Sequence, residues 1–281
     1  MNTHAPSTNF LLHLYSSVKR MGLLDVPLVQ RIFRRTYFLY KGLLEDPFKD
    51  FTKAYPKLFQ GGNIVDVGAN VGYTSLLFAK VVSPGRRVFA FEPDQSNFIA
   101  LQQVLRSSRC SERVVPVKAA VGEQEGTIEL WINQNHHADH RVATEHFVTT
   151  EEFSSSGEAE RKTVSVPQHS LDSFLAREDA DHNVSFIKID VQGYEMQVCL
   201  GMKRILENNP LLTVAFEYSP DSMRSLGFDS EELLKFFRDR KFNLYRLERG
   251  AHLSPFDDGA TAARLRNRGY IDVIASRLTK F

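Results

Sequence analysis

The stretch Ile64-Val-Asp-Val-Gly-Ala-Asn-Val-Gly72 decides the fold that this sequence predicts. Its first four residues form a short apolar strand, its glycines indicate a turn, and a helical pattern follows over Tyr73–Val82. Glycine lets a backbone approach a ligand closely, and the first turn of the helix offers unpaired N–H groups and positive dipole. Strand, glycine turn and helix in this order are therefore typical of a nucleotide-binding loop.

Two acidic residues restrict the kind of ligand that this loop suits. Asp66 lies near the end of the strand, where it would repel a pyrophosphate but attract the ammonium of a cofactor that carries an amino acid. Glu92 ends the next strand, Arg87–Phe91, where a carboxylate can accept hydrogen bonds from both ribose hydroxyls. Dinucleotide-binding folds share the ribose acid but carry G-x-G-x-x-G, whereas this loop has G-x-N-x-G. The alternative interpretation is an ordinary βα turn, in which the glycines only allow the chain to turn and bind no ligand.

Three segments together resemble the FkbM-type methyltransferase family: Ile64–Gly72, Val88-Phe-Ala-Phe-Glu-Pro93 and Ile187-Lys-Ile-Asp-Val-Gln-Gly-Tyr-Glu195. The resemblance covers about residues 60 to 220 and implies a class I fold that uses S-adenosylmethionine (SAM). It also implies methylation chiefly of oxygen, with polyketide and saccharide hydroxyls among the acceptors. One departure is Gln192, because the family commonly has Glu at this position, and this weakens any role for a carboxylate there.

The resemblance further implies which residues form the cofactor pocket. Glu92 would hold the ribose of SAM, while Ala120 and Val121, ending the third strand, would flank the adenine. The methionine end of SAM would be shaped by the loop residues Asp66, Gly68, Asn70 and Gly72.

Alternating strands and helices predict an α/β fold with a doubly wound, Rossmann-like sheet that is mostly parallel. The last strand, Tyr270–Ala275, is expected to lie antiparallel at the sheet edge after a short connection without a helix. Residues 126–167 interrupt this alternation of strands and helices and are interpreted as a β-rich insertion near the mouth of the site. The methyltransferase domain is accordingly placed at residues 61–281, and a helical extension at residues 1–60.

The composition narrows the class of protein. The chain has 281 residues, 42% of them hydrophobic, and a formal net charge of +1. This composition excludes a disordered chain and argues against a dedicated nucleic-acid binder. The two cysteines, Cys110 and Cys199, belong to no CxxC motif, which favours a reducing compartment. With neither a signal peptide nor a transmembrane segment expected, we predict a cytoplasmic protein.

The N-terminal extension combines helical apolar spacing with an excess of basic side chains, among them Lys19, Arg20 and Arg31. A solvated face on helices that cap the core, or a homodimer contact, is the preferred interpretation. Contact with a membrane surface or an acidic partner is the alternative.

The candidate reacting groups follow the fourth and fifth strands of the predicted sheet. Asp190 ends the fourth strand, Lys188 lies on the same side by strand alternation, and Glu217 ends the fifth strand. Asp190 is expected to orient or deprotonate an acceptor hydroxyl. Lys188 is expected either to stabilise a developing alkoxide or to fix Asp190 electrostatically.

Two other arrangements of these acidic groups are open. Asp190 and Glu217 could share a divalent cation such as Mg²⁺, as in some macrolide-sugar O-methyltransferases that look similar here. Alternatively, Lys188 neutralises one carboxylate and Glu217 hydrogen-bonds to backbone.

A histidine-rich run, His136-His-Ala-Asp-His140-Arg141, follows the alternating strand of the insertion. It matches neither HExxH nor a cysteine-paired zinc pattern. The resemblance implies that Asp139-His-Arg141 comes near the acceptor pocket. His140 is therefore a candidate general base, because an unperturbed imidazole has a pKa of about 6.5. A solvated polar loop is the alternative.

These observations together predict a SAM-dependent O-methyltransferase whose acceptor is a hydroxyl of a small molecule, a saccharide or a polyketide-type product. An N-methyltransferase of the same fold, an NAD-dependent oxidoreductase and a non-catalytic SAM-binding module are the alternatives. The glycine spacing and Asp66 count against the oxidoreductase.

Overall fold

The computed structural model describes residues 47–108, 111–132, 140–150 and 163–278. Most of the predicted N-terminal extension, with the proposed dimer contact, lies outside these residues, as do His136, His137 and Asp139 of the histidine-rich run. The described part of the extension contains one helix, Phe48–Ala54, and a 3-10 turn, Pro56–Phe59.

Twelve strands and nine α-helices make up the described part of the chain. The strands are β1 Asn63–Val67, β2 Val88–Phe91, β3 Val114–Val117, β4 Ala120–Val121, β5 Gly126–Trp131, β6 Arg141–Val142, β7 Thr163–His169, β8 Val184–Ile189, β9 Thr213–Tyr218, β10 Asn243–Glu248, β11 His252–Pro255 and β12 Ile271–Ser276. The helices are α1 Phe48–Ala54, α2 Tyr73–Val81, α3 Gln95–Arg106, α4 Leu171–Arg177, α5 Glu195–Leu200, α6 Lys203–Asn208, α7 Pro220–Ser225, α8 Ser230–Asp239 and α9 Asp258–Arg268.

The central sheet has eight strands in the order β11-β10-β12-β9-β8-β1-β2-β3. Five neighbouring strands of this sheet, β3, β2, β1, β8 and β9, are parallel to one another. β12 is antiparallel to both β9 and β10. The predicted α/β fold, with a mostly parallel sheet and an antiparallel last strand, is confirmed.

The expected edge position of the last strand is wrong. β11 forms a hairpin with β10 and occupies its outer side, and α9 then carries the chain back, so β12 inserts between β9 and β10. The connection before β12 therefore contains a helix that the sequence pattern did not predict.

The insertion forms a second sheet, in the order β4-β7-β5-β6. β5 pairs antiparallel with β7 and β6, as its alternating pattern predicts. Ala120 and Val121 do not end the third strand, contrary to expectation, because β3 stops at Val117. They form β4 instead, which pairs parallel with β7. The amide of Gly122 continues this pairing with a 3.0 Å hydrogen bond to the carbonyl oxygen of His169.

Helices cover both faces of the central sheet, as a doubly wound fold requires. The cluster on one face includes buried residues of α1, α2 and α3, and the cluster on the other includes buried residues of α4, α5, α6 and α8. Phe186 of β8 packs at 4.4 Å from the Phe59 ring and 5.5 Å from the Phe78 ring, measured between centroids. This aromatic packing fixes α2 and the Pro56–Phe59 turn against the middle of the sheet.

Within the described ranges, none of the helices has both the length and the apolar character that crossing a membrane requires.

The fold predicts a large difference between two glycine-to-alanine substitutions. Gly68 and Gly85 both have positive φ, at 78° and 77°. A Cβ on Gly68 would lie 1.8 Å from the carbonyl oxygen of Asp190, whereas a Cβ on Gly85 would meet nothing within 4 Å. Gly85→Ala therefore costs only the left-handed backbone strain, about 1–2 kcal/mol. Gly68→Ala should cost about 1–3 kcal/mol more, because β1 and β8 must separate.

Urea unfolding of the two variants and the wild type measures this difference directly. Equal destabilisation by Gly68→Ala and Gly85→Ala would contradict the close approach of the glycine loop to the end of β8.

Candidate active site

The loop after β1 folds back onto the end of β2. The amides of Gly68 and Ala69 both donate to the carbonyl oxygen of Phe91, at 3.1 and 2.9 Å. Three residues of the loop have positive φ: Gly68, Asn70 at 50° and Gly72 at 89°. Asn tolerates this region better than most residues, which explains its presence between the two glycines. The loop is thus fixed by backbone geometry before any ligand is considered.

Glu92 lies at the end of β2, where the sequence places it, and is buried. Its Oε2 accepts from the amide of Asn70 at 2.8 Å, and its Oε1 accepts from the amide of Asp94 at 2.9 Å. Burial raises the pKa of Glu92 to about 7, although these two bonds lower it in part. The side chain of Asn97 also hydrogen-bonds to this carboxylate, and the predicted bonds to ribose hydroxyls would use the acceptor positions that remain.

Asp66 is completely buried beneath the loop. Its Oδ2 accepts from the hydroxyls of Thr74 and Ser75 at 2.8 and 2.6 Å, and its Oδ1 lies 3.6 Å from Nζ of Lys188. The described partners of Asp66 thus come from the start of α2 and from β8. Contact between Asp66 and the ammonium of a cofactor stays a prediction.

Lys188 is buried between two carboxylates of neighbouring strand ends. Its Nζ lies 3.2 Å from Oδ2 of Asp190 and 3.6 Å from Oδ1 of Asp66. Asp66 and Lys188 are register partners in β1 and β8, which puts both side chains on the same sheet face. The structure thus brings Lys188 and Asp190 together, as strand alternation predicts, and adds Asp66 to the same ion pair.

Gln192 joins the two carboxylates that were predicted as reacting groups. Its Nε2 donates to Oδ1 of Asp190 at 3.2 Å and to Oε1 of Glu217 at 3.4 Å, from a backbone with φ of 57°. Sequence reasoning noted Gln192 only as a departure from the family pattern. It follows the end of β8, where Asp190 lies, and the end of β9 beside it carries Glu217. This position was the signal that could have assigned Gln192 a role.

The proposed divalent cation is not supported. Within residues 47–108, 111–132, 140–150 and 163–278, no three His, Cys, Asp or Glu side chains come together as a metal-binding group. The amide nitrogen of Gln192 bonds to both Asp190 and Glu217, the two candidate ligands. An N–H donor bonded to both carboxylates takes acceptor positions that a Mg²⁺ ion would require.

Glu217 lies in β9, one residue before its end, and pairs with Asp272 of β12. Burial raises the pKa of Glu217 well above its ordinary value, and the negative charges of Asp190, Glu195 and Asp272 raise it further. Lys188 offsets only part of this effect. Glu217 therefore holds its proton at a pH where an exposed glutamate is ionised.

Glu195 is a second buried acid near this group, and sequence reasoning missed it. It is 1% exposed, and its Oε1 accepts from the amides of Val191 and Gly193 at 3.1 and 3.2 Å. Burial raises its pKa to about 7. An acid in the first turn of a helix after a glycine loop was the available signal. Glu195 fixes the loop that carries Gln192.

His140 lies on the opposite side of the site from this group of acids. Its Nε2 is 3.9 Å from Oδ1 of Asp94, the residue that caps α3 next to Glu92. β2 and β8 are separated by β1, so their ends lie about 10 Å apart. The geometry brings His140 to the Glu92 side rather than beside Asp190, and its role as general base stays a prediction.

Ala120 and Val121 are both buried in β4 of the second sheet. They belong to β4 and not to the end of β3, and their contact with adenine stays a prediction.

A parallel sheet with an inserted antiparallel last strand, a glycine loop after β1 and an acid after β2 define a class I methyltransferase fold. The Methyltransferase FkbM domain matches residues 66–244, more than half of the chain. The chain therefore belongs to the FkbM methyltransferase family.

Known proteins show more distant similarity. The chain is 27% identical over 189 residues to the hexuronic acid methyltransferase AglP of Haloferax volcanii, covering 64% of this chain and 69% of that protein. It is similar to a crystal structure of methyltransferase FkbM from Methylobacillus flagellatus, with 17% identity and a TM-score of 0.45. That match covers 77% of this chain but only 43% of the other. An O-methyltransferase from Bacillus cereus in complex with SAH matches at 12% identity and a TM-score of 0.46, covering 94% and 99%.

The buried Glu195 predicts a pH dependence of stability. The pKa of Glu195 is raised from an ordinary 4.5 to about 7 in the folded protein. Its contribution to stability is therefore full below about pH 4.5 and is lost as the pH rises toward 7. This loss amounts to about 3 kcal/mol in the free energy of unfolding. Glu195→Gln, which does not titrate, should reduce the slope of stability against pH in that window.

Urea unfolding between about pH 5 and pH 7 measures the slope. Glu207→Gln, at an exposed glutamate of α6, is the matched control and should keep the wild-type slope. An unchanged slope in Glu195→Gln would be incompatible with a buried, titrating Glu195.

Proposed function

We propose that this chain is a SAM-dependent O-methyltransferase that acts on a hydroxyl of a saccharide-type small molecule. The single observation that carries the proposal is the presence of two acidic groups at the carboxyl ends of one sheet. Glu92 is the acid on the cofactor side. Asp190 and Glu217, joined by Gln192, are the acids on the acceptor side. Lys188 pairs with Asp190 and with Asp66 beneath the glycine loop, and so connects the acceptor side to the cofactor loop. The family supports methyl transfer, and the hexuronic acid methyltransferase among the relatives supports a sugar acceptor.

The residues of the loop fit SAM better than a dinucleotide. Glu92 offers acceptor positions for ribose hydroxyls, and the buried negative charge of Asp66 beneath the loop disfavours a pyrophosphate. When bound, SAM supplies an electrophilic methyl group on a sulfonium. The acidic residues of this loop favour that positive charge over an anionic cofactor.

The acceptor side supplies proton removal and orientation. Asp190 accepts the proton of the hydroxyl as the oxygen forms its bond to the methyl group and the sulfur–methyl bond breaks. Lys188, 3.2 Å away, stabilises the negative charge of Asp190 before this step. Glu217, which keeps its proton, can donate a hydrogen bond to a second oxygen of the acceptor. Gln192 hydrogen-bonds to both Asp190 and Glu217 and so fixes their positions relative to each other. The acceptor therefore binds to a preorganised pair of acidic groups.

Other properties expected from the sequence also stay within this proposal. We propose a small-molecule acceptor rather than nucleic acid, supported by the net charge of +1, and a cytoplasmic location. The buried free thiol of Cys199 supports a reducing compartment. A homodimer through the N-terminal extension, residues 1–60, completes the proposal.

SAM binding should depend on pH through Glu92. The pKa of Glu92 is about 7, and only the ionised carboxylate accepts both ribose protons. The affinity for SAM should therefore fall as the pH decreases through 7. Glu92→Gln should bind SAM about 10- to 100-fold more weakly, because it loses charge-assisted hydrogen bonds, and its affinity should vary less with pH.

Isothermal titration calorimetry with SAM, and in parallel with NADH, tests this prediction. Tighter binding of NADH than of SAM would support the oxidoreductase alternative and refute the proposal. An equal pH dependence in Glu92→Gln would show that Glu92 does not contact the ribose.

Asp190→Asn should separate catalysis from cofactor binding. Loss of the proton acceptor should lower kcat about 10²- to 10⁴-fold, with SAM affinity unchanged. The assay measures S-adenosylhomocysteine formed with a panel of neutral hexoses, uronic acids and amino sugars. Asp221→Asn, at an exposed aspartate of α7, is the matched control and should keep wild-type activity.

Three results of this assay would contradict the proposal. Methylation of amino groups alone would indicate an N-methyltransferase. SAM binding without transfer to any acceptor would indicate a non-catalytic module. Full activity in Asp190→Asn would remove Asp190 from the reaction.

A further inference from the structure

Two adjacent residues at the start of β6, His140 and Arg141, reach opposite sides of the site. Nε2 of His140 lies 3.9 Å from Oδ1 of Asp94, which follows β2, and the His140 side chain is only 6% exposed. Nη1 of Arg141 donates to Oγ of Ser225 at 3.4 Å, at the end of α7, the helix that follows β9. Neighbouring residues of an extended chain direct their side chains to opposite sides. The two residues therefore reach from the cofactor side to the acceptor side.

The path between these two contacts crosses the carboxyl ends of neighbouring strands. β1 and β8 lie between β2 and β9 in the sheet, so the ends of β2 and β9 are about 14 Å apart. The strand order reverses between β1 and β8, and open α/β sheets bind ligands outside the strand ends at such a point. The glycine loop follows β1 here, and Asp190 follows β8. We call residues 140–142, which cross this point, the strap.

The strap is anchored at its acceptor end. Its last two residues form β6, which pairs with β5. Two residues further on, the hydroxyl of Thr144 donates to the carbonyl oxygen of Leu226 at 3.0 Å, and the ring of Phe147 is completely buried. These anchors are stronger than the 3.9 Å contact of His140 with Asp94, which is longer than a hydrogen bond. We therefore expect the strap to open at His140 rather than beside α7.

His140 lies against the residue that supports the ribose acid. The amide of Asp94 donates to Oε1 of Glu92 at 2.9 Å, and Oδ1 of Asp94 accepts from the amide of Asn97 at 2.8 Å, which caps α3. Glu92 and Asp94 are only 5% and 7% exposed. A ribose can therefore reach Glu92 only when neighbouring groups move aside, and the strap brings His140 to this corner of the site.

We propose that His140 is a positioning residue for SAM. The strap opens at His140 to admit the cofactor and then closes, so that His140 holds Asp94 and, through it, the ribose acid Glu92. Closure of such a segment over a bound cofactor slows its release and excludes water. This inference rests on the proposed function, because it takes SAM as the ligand. It gives His140 a role other than general base, since β1 separates β2 from β8, where Asp190 lies.

The chain carries its own reporter of strap movement. Trp131 is the only tryptophan of the sequence, and it lies in β5 as the register partner of Arg141. Stopped-flow fluorescence of the full chain mixed with SAM should show a fast phase that depends on SAM concentration, followed by a slower phase that saturates as the strap closes. A chase of methyl-tritiated SAM with excess unlabelled SAM gives the dissociation rate independently.

His140→Ala should release SAM about 10-fold faster and lose the slower fluorescence phase, because lost contacts act mainly on dissociation. His140→Gln, whose amide can still reach Asp94, should recover part of the slow release, and it tests the inference even where the alanine variant does not fold. His182→Ala is the matched control. Nε2 of His182 lies 3.7 Å from Oδ1 of Asp181, but its side chain is 71% exposed and lies outside the strap. This variant should release SAM as the wild type does.

The outcomes separate this inference from the proposed function. SAM release at the wild-type rate in both His140 variants, or a single fluorescence phase in the wild type, would overturn the strap. A lower kcat in these variants with unchanged SAM release would make His140 a general base instead. In each of these cases, SAM binding and methyl transfer by the wild type would still support the methyltransferase. Absence of SAM binding to the wild-type chain would refute the proposed function itself.

Discussion

Lys188 carries its ammonium into the interior of the sheet, between Asp66 of β1 and Asp190 at the end of β8. A buried charge is stable only when it is paired, and removal of one partner typically costs several kcal/mol. Asp66 also accepts hydrogen bonds from Thr74 and Ser75 at the start of α2. One ion pair therefore ties the glycine loop, the helix behind it and the acceptor side of the site together. The positions of the other groups depend on this connection.

The acceptor side carries more negative charge than Lys188 alone can balance. Asp190, Glu217 and Asp272 lie at the ends of adjacent strands, and Glu195 lies buried behind them. The excess is relieved by protonation rather than by further cations, since the pKa values of Glu195 and Glu217 are both raised. Toward the acceptor, this arrangement presents a charged Asp190 beside Lys188 and a neutral carboxyl group on Glu217. Two acidic groups whose environments differ in this way suit separate roles toward one acceptor.

Local rules were enough to predict part of this arrangement. The strand–loop–helix unit follows from apolar pattern and glycine spacing, and the meeting of Lys188, Asp190 and Glu217 follows from strand alternation and parallel strand ends. Long-range pairing was not accessible in this way. Val121 joins β7 across a separation of 48 residues, and β12 inserts between two strands because β11 occupies the outer side of β10.

Gln192 shows how one amide changes the electrostatics of this site. A glutamate at this position would add a further negative charge between Asp190 and Glu217. That charge would require a proton or a cation for compensation, because three carboxylates at such distances repel one another strongly. The amide of Gln192 instead donates to both carboxylates, at 3.2 and 3.4 Å, and adds no charge. In this chain the pair Asp190 and Glu217 is therefore held together by a neutral side chain, and the charge of Lys188 is shared between Asp190 and Asp66.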